Sequence, residues 1–130
     1  MNRLMLPVLA GIGFLAPAFL ATAAFAGPTD VTGEWTRSDG NARVRIAPCG
    51  SKVCATNVWI KDPSGGEAVG DRLVMTVSAK GDDTLAGTAY DAKRSLTYSM
   101  EMKVGPDKLH TRGCVLADMI CRTVSWTRAN

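Results

Sequence analysis

The stretch Leu109-His110-Thr111-Arg112-Gly113-Cys114, continued after a short break by Cys121-Arg122-Thr123-Val124-Ser125-Trp126, decides the fold. Set Cys114 opposite Cys121 in an antiparallel pair. Leu109 then opposes Trp126, Thr111 opposes Val124, and Gly113 opposes Arg122. One face carries Leu109, Thr111, Gly113, Arg122, Val124 and Trp126. The other carries His110, Arg112, Cys114, Cys121, Thr123 and Ser125. Strand side chains alternate between faces, so a slip by one residue would turn the apolar set outward and part the cysteines. A single register satisfies the staple and the pattern together. It predicts a hairpin whose disulfide lies on the outer face.

The same test applies to Cys49 and Cys54. Setting them opposite each other makes Val44 face Trp59 and Ile46 face Asn57, all inward. Arg43 then faces Ile60, and Arg45 faces Val58, on the outer face. Of three possible connectivities, the registers select Cys49–Cys54 and Cys114–Cys121. Each short loop gains about 2 kcal/mol in the chain-entropy picture. The spacings C-x₄-C and C-x₆-C lack the two-residue knuckle of a Cys₄ zinc site and the C-x-x-C of a redox motif. The cysteines therefore read as scaffold, with no metal expected.

Period-2 alternation recurs along the rest of the chain, broken by Gly, Asp, Asn and Pro. Strands are expected at Val31–Arg37, from Ala42 through Ile46, at Val53–Ile60, and around Leu73, Met75 and Val77. Others follow at Leu85–Asp91, Leu96–Val104, Leu109–Leu116 and Ile120–Arg128. Residues 61–71 read as a loop. The fold class is all-β: about eight antiparallel strands in a small up-and-down barrel or a sandwich, with no convincing helix.

The chain has 130 residues and opens with Met1-Asn2-Arg3, an apolar run from Leu4 to Phe25, and Ala24-Phe25-Ala26 before Gly27. One positive charge, an apolar middle and an A-x-A site describe a secretory signal peptide, so cleavage is expected after residue 26. An uncleaved anchor is the competing reading, because about 20 apolar residues can span a bilayer. Pro7, Pro17 and the small residues before Gly27 favour cleavage. The expected location is periplasmic or secreted, in an oxidising space where disulfides persist. The mature protein is not expected to be integral to the membrane. Residues 27–130 make one small domain. The whole chain has 15 basic and 12 acidic side chains; losing Arg3 leaves 14 against 12, a net charge of +2. The signs interleave, which gives no nucleic-acid footprint. A domain of this size buries about two-thirds of its unfolded surface, so covalent staples help it.

Catalytic chemistry is not nominated. The single histidine, His110, falls on the outer face with no nucleophile beside it in the pattern. No glycine-rich phosphate loop opens a helix. Two polar groups fall on inward positions, Asn57 and Arg122. A buried arginine needs an acid, carbonyls or a ligand anion. Gly113, opposite Arg122, leaves room for the guanidinium. One reading places both groups near a barrel end, reaching water or backbone. The other makes them polar anchors of a small-ligand pocket lined by Trp59, Tyr98, Met100 and Trp126. The Met-rich sixth strand fits core filling better than a binding stripe.

Gly33-Glu34-Trp35 near the start and Arg128 near the end resemble the G-x-W and closing arginine of lipocalin-like (calycin) barrels. The resemblance implies that Trp35 and Arg128 stack to close the barrel. A closer resemblance covers nearly all of residues 27–130. It runs through Gly33-x-Trp35, Val44-Arg45-Ile46-x-x-Cys49-Gly50, Cys54 and Gly87-Thr88-Ala89-Tyr90-Asp91. It continues through Arg112-Gly113-Cys114 and Cys121-Arg122-Thr123-x-x-Trp126-Thr127-Arg128. This pattern is similar to a family of small secreted bacterial proteins, domain-of-unknown-function family 2147. The family implies a calycin-like barrel in the cell envelope and no assigned activity. The chain departs from the pattern at Ala55, at Ala92 and in a shorter loop over residues 61–71.

Two functional classes follow. A small-ligand carrier or sensor, taking one apolar or amphipathic molecule, needs a cavity that eight short strands can just supply. An envelope protein-binding or inhibitor module would act through loops and outer residues such as Arg43, Arg45, Val58, Ile60 and Arg112. An enzyme is the least supported class, and no cofactor is expected.

Overall fold

The computed structural model describes residues 30–129, together with Gly11 and Gly13. The expected leader and its cleavage site otherwise lie outside the described residues. Eight strands follow in chain order: β1 (Gly33–Arg37), β2 (Ala42–Cys49), β3 (Lys52–Ile60), β4 (Arg72–Ala79), β5 (Thr84–Asp91), β6 (Leu96–Val104), β7 (Lys108–Val115) and β8 (Ile120–Ala129). Each pairs antiparallel with its sequence neighbour, and β1 also pairs with β8. The alternative of barrel or sandwich thus resolves to a closed up-and-down barrel. Within the loop over residues 61–71, Pro63–Gly65 forms one short 3₁₀ turn, capped by Asp62.

Alternating direction sorts the connections. The β1–β2, β3–β4, β5–β6 and β7–β8 loops gather at one end. The other three turns, with Asp30 and Ala129, gather at the opposite end. The core packs toward that second end. Val31 and Trp35 are fully buried, and Met75, Leu85, Met102 and Leu109 fill the space around them. The Trp35 indole donates to the Val31 carbonyl at 2.9 Å. The Arg128 guanidinium lies 4.2 Å from the Trp35 ring centre. It also donates to the Thr32, Asp30 and Pro106 carbonyls at 2.9, 3.2 and 2.7 Å. This is the closing contact the resemblance implies. Gly33 sits at φ +128°, and a Cβ there would lie 2.8 Å from Arg128 Nη1. The first residue of the G-x-W motif must therefore be bare for the arginine to reach its ring.

The β7–β8 register is the one read from the sequence, with Cys114 opposite Cys121 and Leu109 opposite Trp126. The disulfide joins them with Cα atoms 4.1 Å apart. The second disulfide, Cys49–Cys54, also forms, with Cα atoms 5.7 Å apart. Its register differs from the sequence reading by two residues. Ala47 opposes Cys54 and Cys49 opposes Lys52, so the staple crosses diagonally along the outer row.

Further along the same pair a bulge intervenes. Val44 opposes Asn57, yet Arg43 opposes Trp59. Val58 is the extra residue, and everything beyond it changes face. Trp59, expected inside, joins Arg43 in the outer row and is 43% exposed. Ile60, expected outside, joins the inner row opposite Ala42. Counting by twos assumes equal residue numbers on both strands, and the bulge breaks that assumption.

The barrel wall has uneven height. β8 pairs with β1 only over Trp126–Ala129, and one further bond runs from the Ser38 N–H to the Ser125 carbonyl at 2.9 Å. From Ile120 to Val124, β8 pairs with β7 alone. The β7–β8 hairpin therefore stands above its neighbour as an arm. Cys114, between β6 and β8, is buried, whereas Cys121, on the unsupported side, is exposed. At the tip Leu116, Ala117 and Asp118 adopt φ of 54°, 53° and 66°. Left-handed backbone disfavours each of these non-glycine residues by about 1 kcal/mol. The disulfide directly beneath holds the tip together.

Candidate functional site at the open end

Above the core, the inner row stays partly open to solvent. Ala55, Leu73, Tyr98, Met100 and Trp126 pack on the core from above and are only half-buried. Thr111, Gly113 and Val124 stand beside them in the same state. The Trp126 indole donates to Thr111 Oγ1 at 3.0 Å, which leaves its apolar face to the interior. A Cβ on Gly113 would meet Met100 Cε and Tyr98 Cδ1 at 3.9 Å, an ordinary contact. The bare glycine thus keeps the space over those two side chains clear. The result is a shallow cup with an apolar floor.

Charged side chains ring the cup. Arg37, on the inner row after Trp35, holds Glu67 through both ends of its fork, with Nη2 to Oε2 at 2.7 Å. Its Nε reaches both Asp39 oxygens at 3.0 Å. Asn41 donates to Glu67 Oε2 at 3.0 Å and to the Asp62 carbonyl at 3.1 Å. Across the loop, Lys93 reaches Asp71 at 3.1 Å and the Gly66 carbonyl at 3.2 Å. Arg94 holds the buried Asp91 at 2.9 Å. The loop over residues 61–71 is therefore tied on one side to the β1–β2 turn and on the other to the β5–β6 turn. It forms one side of the rim.

The electrostatics follow from these bonds. The Arg37 hydrogen bonds hold the Glu67 and Asp39 carboxyls below their ordinary range. Glu67 in turn holds the Arg37 proton more tightly than usual. Burial raises Asp71, but the Lys93 bond and the Ala68 N–H outweigh it, and the carboxyl ends lower than usual. Asp91 raises Arg94. The rim is largely self-paired.

The residues singled out in the sequence separate into four places. Tyr98, Met100 and Trp126 meet in the cup. Asn57 keeps its inward row but serves the loop. Its Nδ2 donates to the Ala68 carbonyl at 3.2 Å, and its backbone bonds to Asp71 and Gly70 at 2.9 and 2.8 Å. Arg122 has the expected row but the wrong level. It sits on the projecting arm above β1 and is exposed, because no neighbouring strand walls it in. Trp59 lies outside. His110 is exposed on the outer face, with Nδ1 3.0 Å from Ser125 Oγ.

Sequence reasoning missed Arg37, Glu67, Asp71 and Asp91. Arg37 and Asp91 carry a usable signal, since each shares parity with buried apolar neighbours on its own strand. Glu67 and Asp71 lie in an aperiodic loop and carry none.

Two hollows lie elsewhere. One, of about 380 Å³, opens at the opposite end, where Asp30, Thr32 and the β2–β3 turn approach β4. It contains no ion pair and no buried polar side chain. The other, of about 250 Å³, is an outer furrow beside Glu101 and Arg112. Among the described residues, no group of three or more His, Cys, Asp or Glu side chains gathers to hold a metal.

A closed eight-stranded up-and-down barrel, plugged at one end by a tryptophan under an arginine, is lipocalin-like in coarse outline. Within that class, residues 33–128 match the family described as an uncharacterized protein conserved in bacteria (DUF2147), and the chain belongs to that family. No curated protein and no solved structure matches it.

Proposed function

We propose that the open end receives one small amphipathic molecule. Its apolar part would rest on Leu73, Tyr98, Met100 and Trp126, and its polar part would meet the charged rim. One observation carries this reading. Trp35, Met75, Leu85, Met102 and Leu109 are buried on the inner row, whereas Leu73, Tyr98, Met100 and Trp126, nearer the other end, stay partly exposed although the wall is closed. An eight-stranded interior leaves room for side chains or one small ligand. The bare Gly113 adds to that room. An apolar floor with a few fixed polar groups is the usual make-up of a ligand site. The Asn57 and Arg122 anchors of the sequence reading give way here to Arg37, Lys93 and Arg94 at the rim. We further place the working protein in an extracytoplasmic, oxidising space, supported by the leader pattern and two disulfides.

The test is a plug. Gly113→Leu projects a side chain over Met100 and Tyr98 without a backbone clash. Binding of the amphipathic dye 1-anilinonaphthalene-8-sulfonate, followed by energy transfer from tryptophan, should be saturable in the parent protein and lost in Gly113→Leu. Trp126→Ala should also weaken dye binding, because it removes part of the apolar floor. Dye binding unchanged by the plug would refute the cup. Native mass spectrometry of protein taken from its own envelope would then identify any retained molecule.

A further inference from the structure

The arm of β7 and β8 has an open backbone edge. The Ser125 carbonyl points toward β1, where it accepts from Ser38. Backbone groups alternate sides along a strand, and the β7–β8 register has no bulge. The N–H and C=O of Thr123 and Cys121 therefore point the same way as those of Ser125. At that level β1 has ended, and among the described residues no backbone group pairs with them. Barrel closure normally abolishes such edges. Two donor–acceptor residues two positions apart form the template on which an extended peptide adds as a strand.

The surroundings specify the chemistry of that strand. Arg122 and Arg112 are exposed on opposite faces of the arm, and neither is in an ion pair among the described residues. Asp39, in the β1–β2 turn at the same end, is already held by Arg37. The Arg112 Nη2 rests 3.2 Å from Cys121 Sγ. Beyond them the tip presents Leu116, Met119 and Ile120, exposed at 67, 84 and 58%. We infer that the β8 edge at Cys121–Thr123 docks an extended, acidic and apolar segment of a partner protein by strand addition. A second copy of this chain fits less well. Antiparallel pairing of the two edges, with Cys121 opposite Thr123, would set Arg122 against Arg122, and like charges directly opposed destabilise a ladder. An anionic membrane would engage the apolar tip and the arginines but would leave the backbone edge without partners.

The decisive variant is Thr123→Pro. It removes one outward N–H and no ladder bond, the position where an edge strand tolerates proline. The probe is a fluorescein-labelled hexapeptide alternating Glu and Val, with a Lys and Val peptide as its opposite. Anisotropy should show saturable binding of the acidic peptide only. Losing one backbone bond should weaken it about tenfold in Thr123→Pro, while Thr123→Ala binds as the parent does. Arg122→Glu should also weaken it. In the unsubstituted protein, amide exchange at Cys121 and Thr123 should be fast and should slow when the peptide is added, a readout that needs no variant. Thr123→Pro, which touches only the arm's edge, should leave dye binding in the cup intact, so this inference and the cup can fail separately.

Three results overturn it: no saturable binding, equal binding of both peptides, or no response to Thr123→Pro. A dimer in sedimentation equilibrium that dissolves in Thr123→Pro would assign the edge to a second copy. Binding to phosphatidylglycerol vesicles that needs Leu116 and Met119 but ignores Thr123→Pro would assign the arm to a membrane surface.

Discussion

A single arginine organises the plugged end. Arg128 combines stacking on Trp35 with three carbonyl contacts, and those carbonyls belong to segments far apart in sequence. Lysine carries the charge but not the planar fork that stacks and donates in several directions at once. Arg128→Lys should therefore lose about 1–2 kcal/mol, and Arg128→Ala about 2–3 kcal/mol, by urea unfolding. Equal stability of the two variants and the parent would show that the stack contributes nothing. Gly33→Ala should fall in the same range, since its methyl would press on Arg128 Nη1. The G-x-W and the distant arginine were legible because they form a motif. That three carbonyls would converge on the arginine was not, since carbonyls leave no trace in residue identity.

Strand pairs were more legible than their faces. Both disulfides and the whole β7–β8 register follow from alternation constrained by cysteines, because two independent demands fix one number. In β2–β3 the same reasoning found the staple and missed the bulge at Val58, which turned Trp59 out. No residue type announces a bulge here. Arg122 misled differently. Parity gives a row but not a height, and height depends on where β1 stops. The arm itself yields a prediction. Replacing Cys114 and Cys121 together with serine should cost about 2 kcal/mol. Amide exchange should rise first at Leu116–Met119, because the left-handed tip is held by the disulfide, the Val115–Ile120 pair and one turn bond from Met119 to Leu116. Removing Cys49 and Cys54 should cost a similar amount without loosening that tip. Gly87→Ala is expected to disturb β4–β5 most, since its Cβ would fall 1.9 Å from the Thr76 carbonyl oxygen; about 2 kcal/mol or more should be lost.

At the level of the molecule, the rim couples stability to acidity. Glu67, Asp39 and Asp71 have folded-state affinities for protons below those of the unfolded chain. Their contribution is therefore present above the ordinary carboxylate range and is lost as pH falls through the depressed values. The melting temperature should be level from pH 7 to about 5 and fall below about 4. Arg37→Met should lower it at pH 7 and flatten the acid limb, because the pairing that depresses Glu67 and Asp39 is gone. A limb of unchanged steepness would place the acid sensitivity elsewhere. An even number of alternating strands has one more consequence. Asp30 and Ala129 both emerge at the plugged base, on the far side of the barrel from the cup and the arm. A bead, a fused reporter or a lipid tether attached through either flank would hold the molecule by its floor. Both candidate binding surfaces would then face away from the support.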